Sequence, residues 1–428
     1  MRLIGLIVGT CLFAAAAAAQ PDPSGIEFVT ITHANNPAWA GDGTPSDLAI
    51  GRGSVGHEYR IGKFEVTTGQ WAEFMNAAHD RAAGDLIPHV VVPAAWGAVG
   101  TTPQNLGGRR WEVPAGREML PTGGIDWRTA AIYCNWLHND KATNREAFLN
   151  GAYDVSTFGY TGTVFTDQLT HHTNARYWIP TWDEWLKATH WSPTNPDNSG
   201  WFPYANSSNT PLAYGPPGLN VRVTGGYGPD PNGPLAKANA GWDGFHFPGH
   251  NPFSIPLGSY GNSVTPWGLL DAAGGTREWT EEVGFVSGIW PTFRVFDGSA
   301  WASSQAMISD EIYHREGDFP SLPTYDLGFR IAAAIPTPPT CVVGGILGML
   351  LHSRRRERRT HEQAHDRIWH VRGSWGGGRS GSVALRRRRQ SHGSTTAARS
   401  QQRARGPTCR SRCPRRSAAK KSCASGRL

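Results

Sequence analysis

Thiols are scarce in this chain. Of its six cysteines, Cys11 lies near the start and Cys341, Cys409, Cys413 and Cys423 lie past Pro339, so Gln20–Pro339 holds Cys134 alone. That stretch therefore has no internal disulfide and no site built from two neighbouring thiolates. Charge is also sparse, at 18% of residues. Of the 41 Lys and Arg, 22 fall in His352–Leu428 with 3 of the 34 Asp and Glu, leaving 19 basic against 31 acidic residues before it. The body is thus acidic, at −12, although the whole chain is +7. A nucleic-acid role for the folded body loses its main support. No apolar run reaches the ~20 residues that span a bilayer as a helix, so no permanent membrane span is expected.

Glycine and tryptophan are plentiful. The 52 Gly and 18 Trp predict a loop-rich body around a well-filled aromatic core. Residues 1–20 have a basic start at Arg2, an apolar run and a small-residue stretch, the pattern of a secretory signal peptide. The chain is accordingly expected to be exported, to the cell surface or beyond.

The chain is organised around Pro266–Glu282, PWGLLDAAGGTREWTEE. Asp271, Gly274, Thr276 and Glu278 fall at i, i+3, i+5 and i+7. Glycine lets the backbone fold back on itself, and two carboxylates with intervening carbonyls offer a hard-oxygen cradle for calcium. A Gly-rich structural turn without an ion is the competing reading. Trp267 and Trp279 would pin the loop to the core.

Around it, Glu27–Thr32 and Tyr59–Val66 alternate as strands. Thr67 with Gln70, and Thr181 with Glu184, have capping-box spacing, and Asp126 caps a helix through about Asn139. Trp71, Phe74, Met75 and Ala78 mark the buried face of the first helix; Tyr133, Trp136 and Leu137 do so in the second; Trp182, Trp185 and Leu186 in the third. Cys134 reads as a small core residue. His246 and His250 have zinc-like spacing, but Pro248 and Gly249 between them break the helix such a pair would need.

GLLDAAGGTREWTEE resembles the signature loop of the formylglycine-generating enzyme (sulfatase-modifying factor) family, whose usual form is GLYDMxGNVWEW. Tyr59–Ala77, Ile125–Leu137, Tyr177–Ala188 and the closing Leu327–Ala332 (LGFRIA) follow in the family's order, over about 26–334. The resemblance implies an α+β fold, loop-rich with few regular elements and related to C-type lectins. It also implies structural calcium, with a second, more closely spaced set at Asn239, Ala240, Asp243 and Phe245. Family enzymes oxidise a substrate cysteine with oxygen and copper(I), held by two cysteines five residues apart; the soft ion wants thiolates. In Val295–Ser304 (VFDGSAWASS) and beyond, those positions fall on Ser303 and Ile308, so copper is not expected. The family's iron-dependent branch needs a further helical domain and histidine spacing that His171–His172 lacks. Asp310 and His314 near the same cleft offer a possible acid/base pair, and Arg330 is expected to pair with a buried carboxylate or carbonyl.

Residues 335–359 (IPTPPTCVVGGILGMLLHSRRRERR) resemble a bacterial Pro-Glu-Pro-type sorting signal, with Thr337 in place of the glutamate. Residues 360–428 read as a basic disordered tail or an out-of-frame extension. The sequence thus points to an exported, non-catalytic binding or surface module, with a peptide or glycan ligand and the envelope sorting machinery as partners. The alternative is a family oxidoreductase with a thiol-free mechanism.

Overall fold

In the computed structural model, residues 22–45, 47–101, 110–286 and 289–336 are described. The expected signal peptide, most of the sorting segment and the basic tail lie outside them. Strand β1 (Phe28–Ile31) pairs antiparallel with β2 (Tyr59–Gly62). Helix α1 (Thr68–Ala78) follows at once. Its start is fixed by the expected capping box: the Gln70 amide donates to the Thr67 hydroxyl at 3.3 Å, and the Gln70 side-chain oxygen accepts from the Thr67 amide at 3.1 Å. Helix α2 (Trp127–His138) begins where Asp126 accepts from the Thr129 amide at 2.8 Å. After β3 (Tyr177–Trp178), helix α3 (Trp182–His190) carries the second capping box, with Thr181 and Glu184 bonded both ways.

The chain then runs through about 85 residues of turns before its longest regular unit, the hairpin of β4 (Arg277–Val286) and β5 (Ile289–Asp297). The short helix α4 (Ala306–Ser309) and strands β6 (Glu316–Asp318), β7 (Leu327–Gly328) and β8 (Ala332–Ala333) complete it. Two four-stranded sheets result. One has the order β1–β2–β8–β3, all antiparallel; the other is β6–β5–β4–β7, with β7 parallel to β4. Phe329, Arg330 and Ile331, between β7 and β8, therefore stitch one sheet to the other.

The amphipathic faces pack as their spacing predicts. Trp71, Phe74 and Met75 of α1 meet Tyr133, Trp136 and Leu137 of α2, with Phe329 edge-on to both Trp71 and Tyr133. Cys134 is fully buried in this cluster. A second cluster gathers Trp39, Trp182, Trp185, Trp191 and Trp201 against Val295. Rings of this size bury large apolar area each, so a body with little regular structure still has a dense interior. Among the described residues no helix is long and apolar enough to cross a membrane.

Candidate functional site

The signature loop is a turn that runs into β4, and its geometry is set from outside the loop. Gly274 sits at φ 85°, and a Cβ there would come within 2.6 Å of the Asn239 backbone. Only glycine permits that approach, and the Gly275 amide donates to the Asn239 carbonyl at 3.1 Å. Below the turn, Arg330 closes a bidentate pair with Glu278, both contacts at 2.6 Å, and donates to the Gly62 carbonyl at 3.0 Å. Trp185 donates to the same carboxylate at 2.8 Å. Glu65 accepts from the Thr276 amide and hydroxyl. Burial, then the nearby Glu278, pushes the Glu65 carboxyl well above its ordinary value.

These bonds decide how the first calcium set fits. Both Glu278 oxygens face the Arg330 guanidinium, and the Thr276 hydroxyl is held by Glu65. Asp271 accepts from the Gly258 amide at 2.6 Å, and burial pushes its carboxyl up to about 6. Asp271, Gly274, Thr276 and Glu278 thus form a buried structural lock, and as arranged they do not fit a cation. The second set fits in part. The Asn239 side-chain NH₂ donates to the Pro252 carbonyl at 2.9 Å, while its Oδ1 is buried without a hydrogen-bond partner, as a cation ligand would be. Asp243, however, is exposed, and its Oδ1 already accepts from the Phe245 and His246 amides and faces the His246 ring at 2.7 Å. Phe245 is 85% exposed, and Ala240 is buried in a small alanine-rich cluster. Among the described residues no three His, Cys, Asp or Glu side chains stand together as a metal-holding group.

The segment after β5 carries Ser303 and Ile308, the positions onto which the family resemblance would place two cysteines. Ser303 is nearly buried, its hydroxyl accepting from the Ala300 amide at 2.7 Å. Ile308 is 41% exposed on α4. Neither is a thiol, and Cys134 sits in α2 with burial pushing its thiol well up, so it stays protonated. A two-thiolate copper site does not fit this body.

Two hollows flank the segment instead, sharing Ser304 and Gln305 on their rims. On one side is a polar cleft of about 200 Å³, bounded by Ser303, Arg277, His314, Glu316 and Asp326. Arg277 bridges Glu316 at 2.6 Å and Asp326 at 2.8 Å. On the other is a largely apolar hollow of about 330 Å³, bounded by Ile308, Met307, Leu212, Tyr214 and Tyr227.

Asp310 and His314 are not brought together as an acid/base pair. His314 turns to the polar cleft, 4.0 Å from Glu316. Asp310 is buried and accepts from Tyr214 at 2.8 Å and Ser299 at 3.0 Å, leaving its other oxygen without a partner. Burial pushes its carboxyl up to about 7. Tyr214 gave no sequence signal: it lies in an aperiodic stretch 96 residues from its partner.

The family model described as "Sulfatase-modifying factor enzyme 1-like domain" matches residues 43–335. Among solved structures, CarF is similar at 17% identity, over 73% of this chain and 99% of that one, with a TM-score of 0.46. PvdO from Pseudomonas aeruginosa is similar at 15% identity, over 74% and 100%, with a TM-score of 0.41. Treponema denticola variable protein 1 is similar at 16% identity, over 72% and 95%, with a TM-score of 0.35. No curated protein matches the chain.

Proposed function

Because the chain belongs to the sulfatase-modifying factor enzyme 1-like domain family, we propose that it keeps the family scaffold as an exported binding module and lacks the copper oxidase chemistry. One observation carries the reading. The domain holds a single thiol, Cys134, enclosed in α2, and by the family resemblance the two thiolate positions would fall on Ser303 and Ile308. A serine hydroxyl is a hard and weakly acidic ligand, and isoleucine offers none. What remains at that place is a pair of hollows suited to holding a ligand, and we take the ligand to be a peptide or a glycan. Export rests on residues 1–20, and residues 335–359 would be read by the envelope sorting machinery. Structural calcium belongs to this reading only near Asn239, where a buried amide oxygen lacks a partner.

A second reading, a thiol-free enzyme, draws on Asp310, a buried acid pushed up to about 7 and bonded to Tyr214 in the hollow's wall. Peptide and glycan arrays probed with the exported protein test the binding reading. Saturable binding weakened by Ser304→Trp, on the shared rim, is expected; silence across both arrays would mark an inert surface protein. Intact mass of the exported chain would show cuts near residue 20 and within 335–359.

A further inference from the structure

The apolar hollow has a chemical preference written into its walls. Tyr214 and Tyr227 meet edge to face, centroids 6.4 Å apart. The Tyr214 hydroxyl is committed to Asp310, which leaves its ring as the apolar part available to the hollow. Met307 and Ile308 supply the remaining flank and stay 39% and 41% exposed, an apolar cost that a bound group would relieve. Arg222 is the one charged residue on the lining. It is exposed, and its guanidinium makes no hydrogen bond or ion pair among the described residues. No carboxylate lines the hollow to neutralise it.

Resting on the binding reading, we propose that this hollow takes an apolar or aromatic group carrying one carboxylate, its body against Tyr214, Tyr227 and Ile308 and its charge on Arg222. A volume of about 330 Å³ is at the small end of ligand pockets, so the body is the size of one large side chain. An aromatic ring gains from the two tyrosine faces. A guanidinium with free donors matches a carboxylate in two parallel hydrogen bonds. The same chemistry is presented by the last residue of a peptide ending in Phe, Tyr or Leu, and by a free aryl or branched-chain acid.

Calorimetric titration of the full chain with three probes tests this: N-acetyl-phenylalanine, its neutral amide, and a hexapeptide ending in phenylalanine with a free carboxylate. The acid is expected to bind about tenfold more tightly than the amide, the scale of a hydrogen bond to a charged group. That advantage should shrink in 0.5 M salt and vanish in Arg222→Gln. Ile308→Asp, a change at an exposed position, should abolish acid binding while the folded spectrum is kept. A hexapeptide tighter than the acetylated residue assigns the hollow to a peptide terminus, and equal affinities assign it to a free acid. Equal binding of acid and amide, an acid preference surviving Arg222→Gln, or no binding of any probe would overturn the proposal. Array binding in those cases would still leave the broader binding reading intact.

Discussion

Replacing Asp310 with asparagine should make the protein relatively more stable as the solution becomes alkaline. The folded carboxyl stands at about 7 against an ordinary 3.8, chiefly because it is buried. Its sign follows from linkage: a carboxyl raised in the folded state contributes stability that is complete below about 3.8 and is lost as pH rises through about 7. The whole shift is worth about 4 kcal/mol. Part of it is gone by pH 5, so roughly 3 kcal/mol falls between pH 5 and pH 8. Asparagine keeps an oxygen for the Tyr214 and Ser299 hydroxyls and carries no charge at either pH, so it imitates the protonated acid. Asp297, also pushed up by burial, is present in both proteins. Urea unfolding followed by tryptophan fluorescence, at several pH values, gives the stability gap between variant and parent. The gap should widen in favour of Asp310→Asn by roughly 3 kcal/mol from pH 5 to pH 8. A gap that stays flat, or that turns against the variant, would refute the reasoning.

Other outcomes follow from the same geometry. Glu278→Gln leaves Arg330 buried without its counter-charge and should cost about 3–5 kcal/mol; added calcium should not restore it, and restoration would revive a cation at that loop. Thr181→Ala removes the hydroxyl that accepts from the Glu184 amide and should cost about 1 kcal/mol, measured by the shift in urea midpoint at constant slope. Peptide mass spectrometry after alkylation should find Cys134 unmodified in the folded protein and modified after denaturation, because its thiol is enclosed and protonated. Rapid labelling under native conditions would contradict that burial.

Short-range bonding is what the sequence exposed most clearly. Thr67, Asp126 and Thr181 announce their helices because each cap is satisfied within three residues, and the tryptophan stripes then show which face is buried. The long hairpin was harder to see. Read forward, Arg277–Glu282 is a polar run closing a turn, yet it opens the longest strand. Glu278 and Glu281 are buried there because their partners come from far along the chain: Arg330 for Glu278, and Tyr153 and His171 for Glu281. Local pattern carries no trace of such pairings. The same limit explains the calcium expectation at Asp271–Glu278, where spacing suggested an oxygen cradle and a guanidinium 52 residues away supplies the charge instead. At Ser303 and Ile308 residue type was legible. The two hollows on either side were not, since residues 212–227 that wall one of them are aperiodic.

The most direct test follows oxygen uptake and product mass when the full chain is given copper(I), oxygen and a cysteine-containing sulfatase peptide. No aldehyde product above a copper-only control is expected, because the folded body offers no thiolate pair. Sustained conversion of the peptide cysteine, lost in a Ser303 or Ile308 variant, would contradict the account.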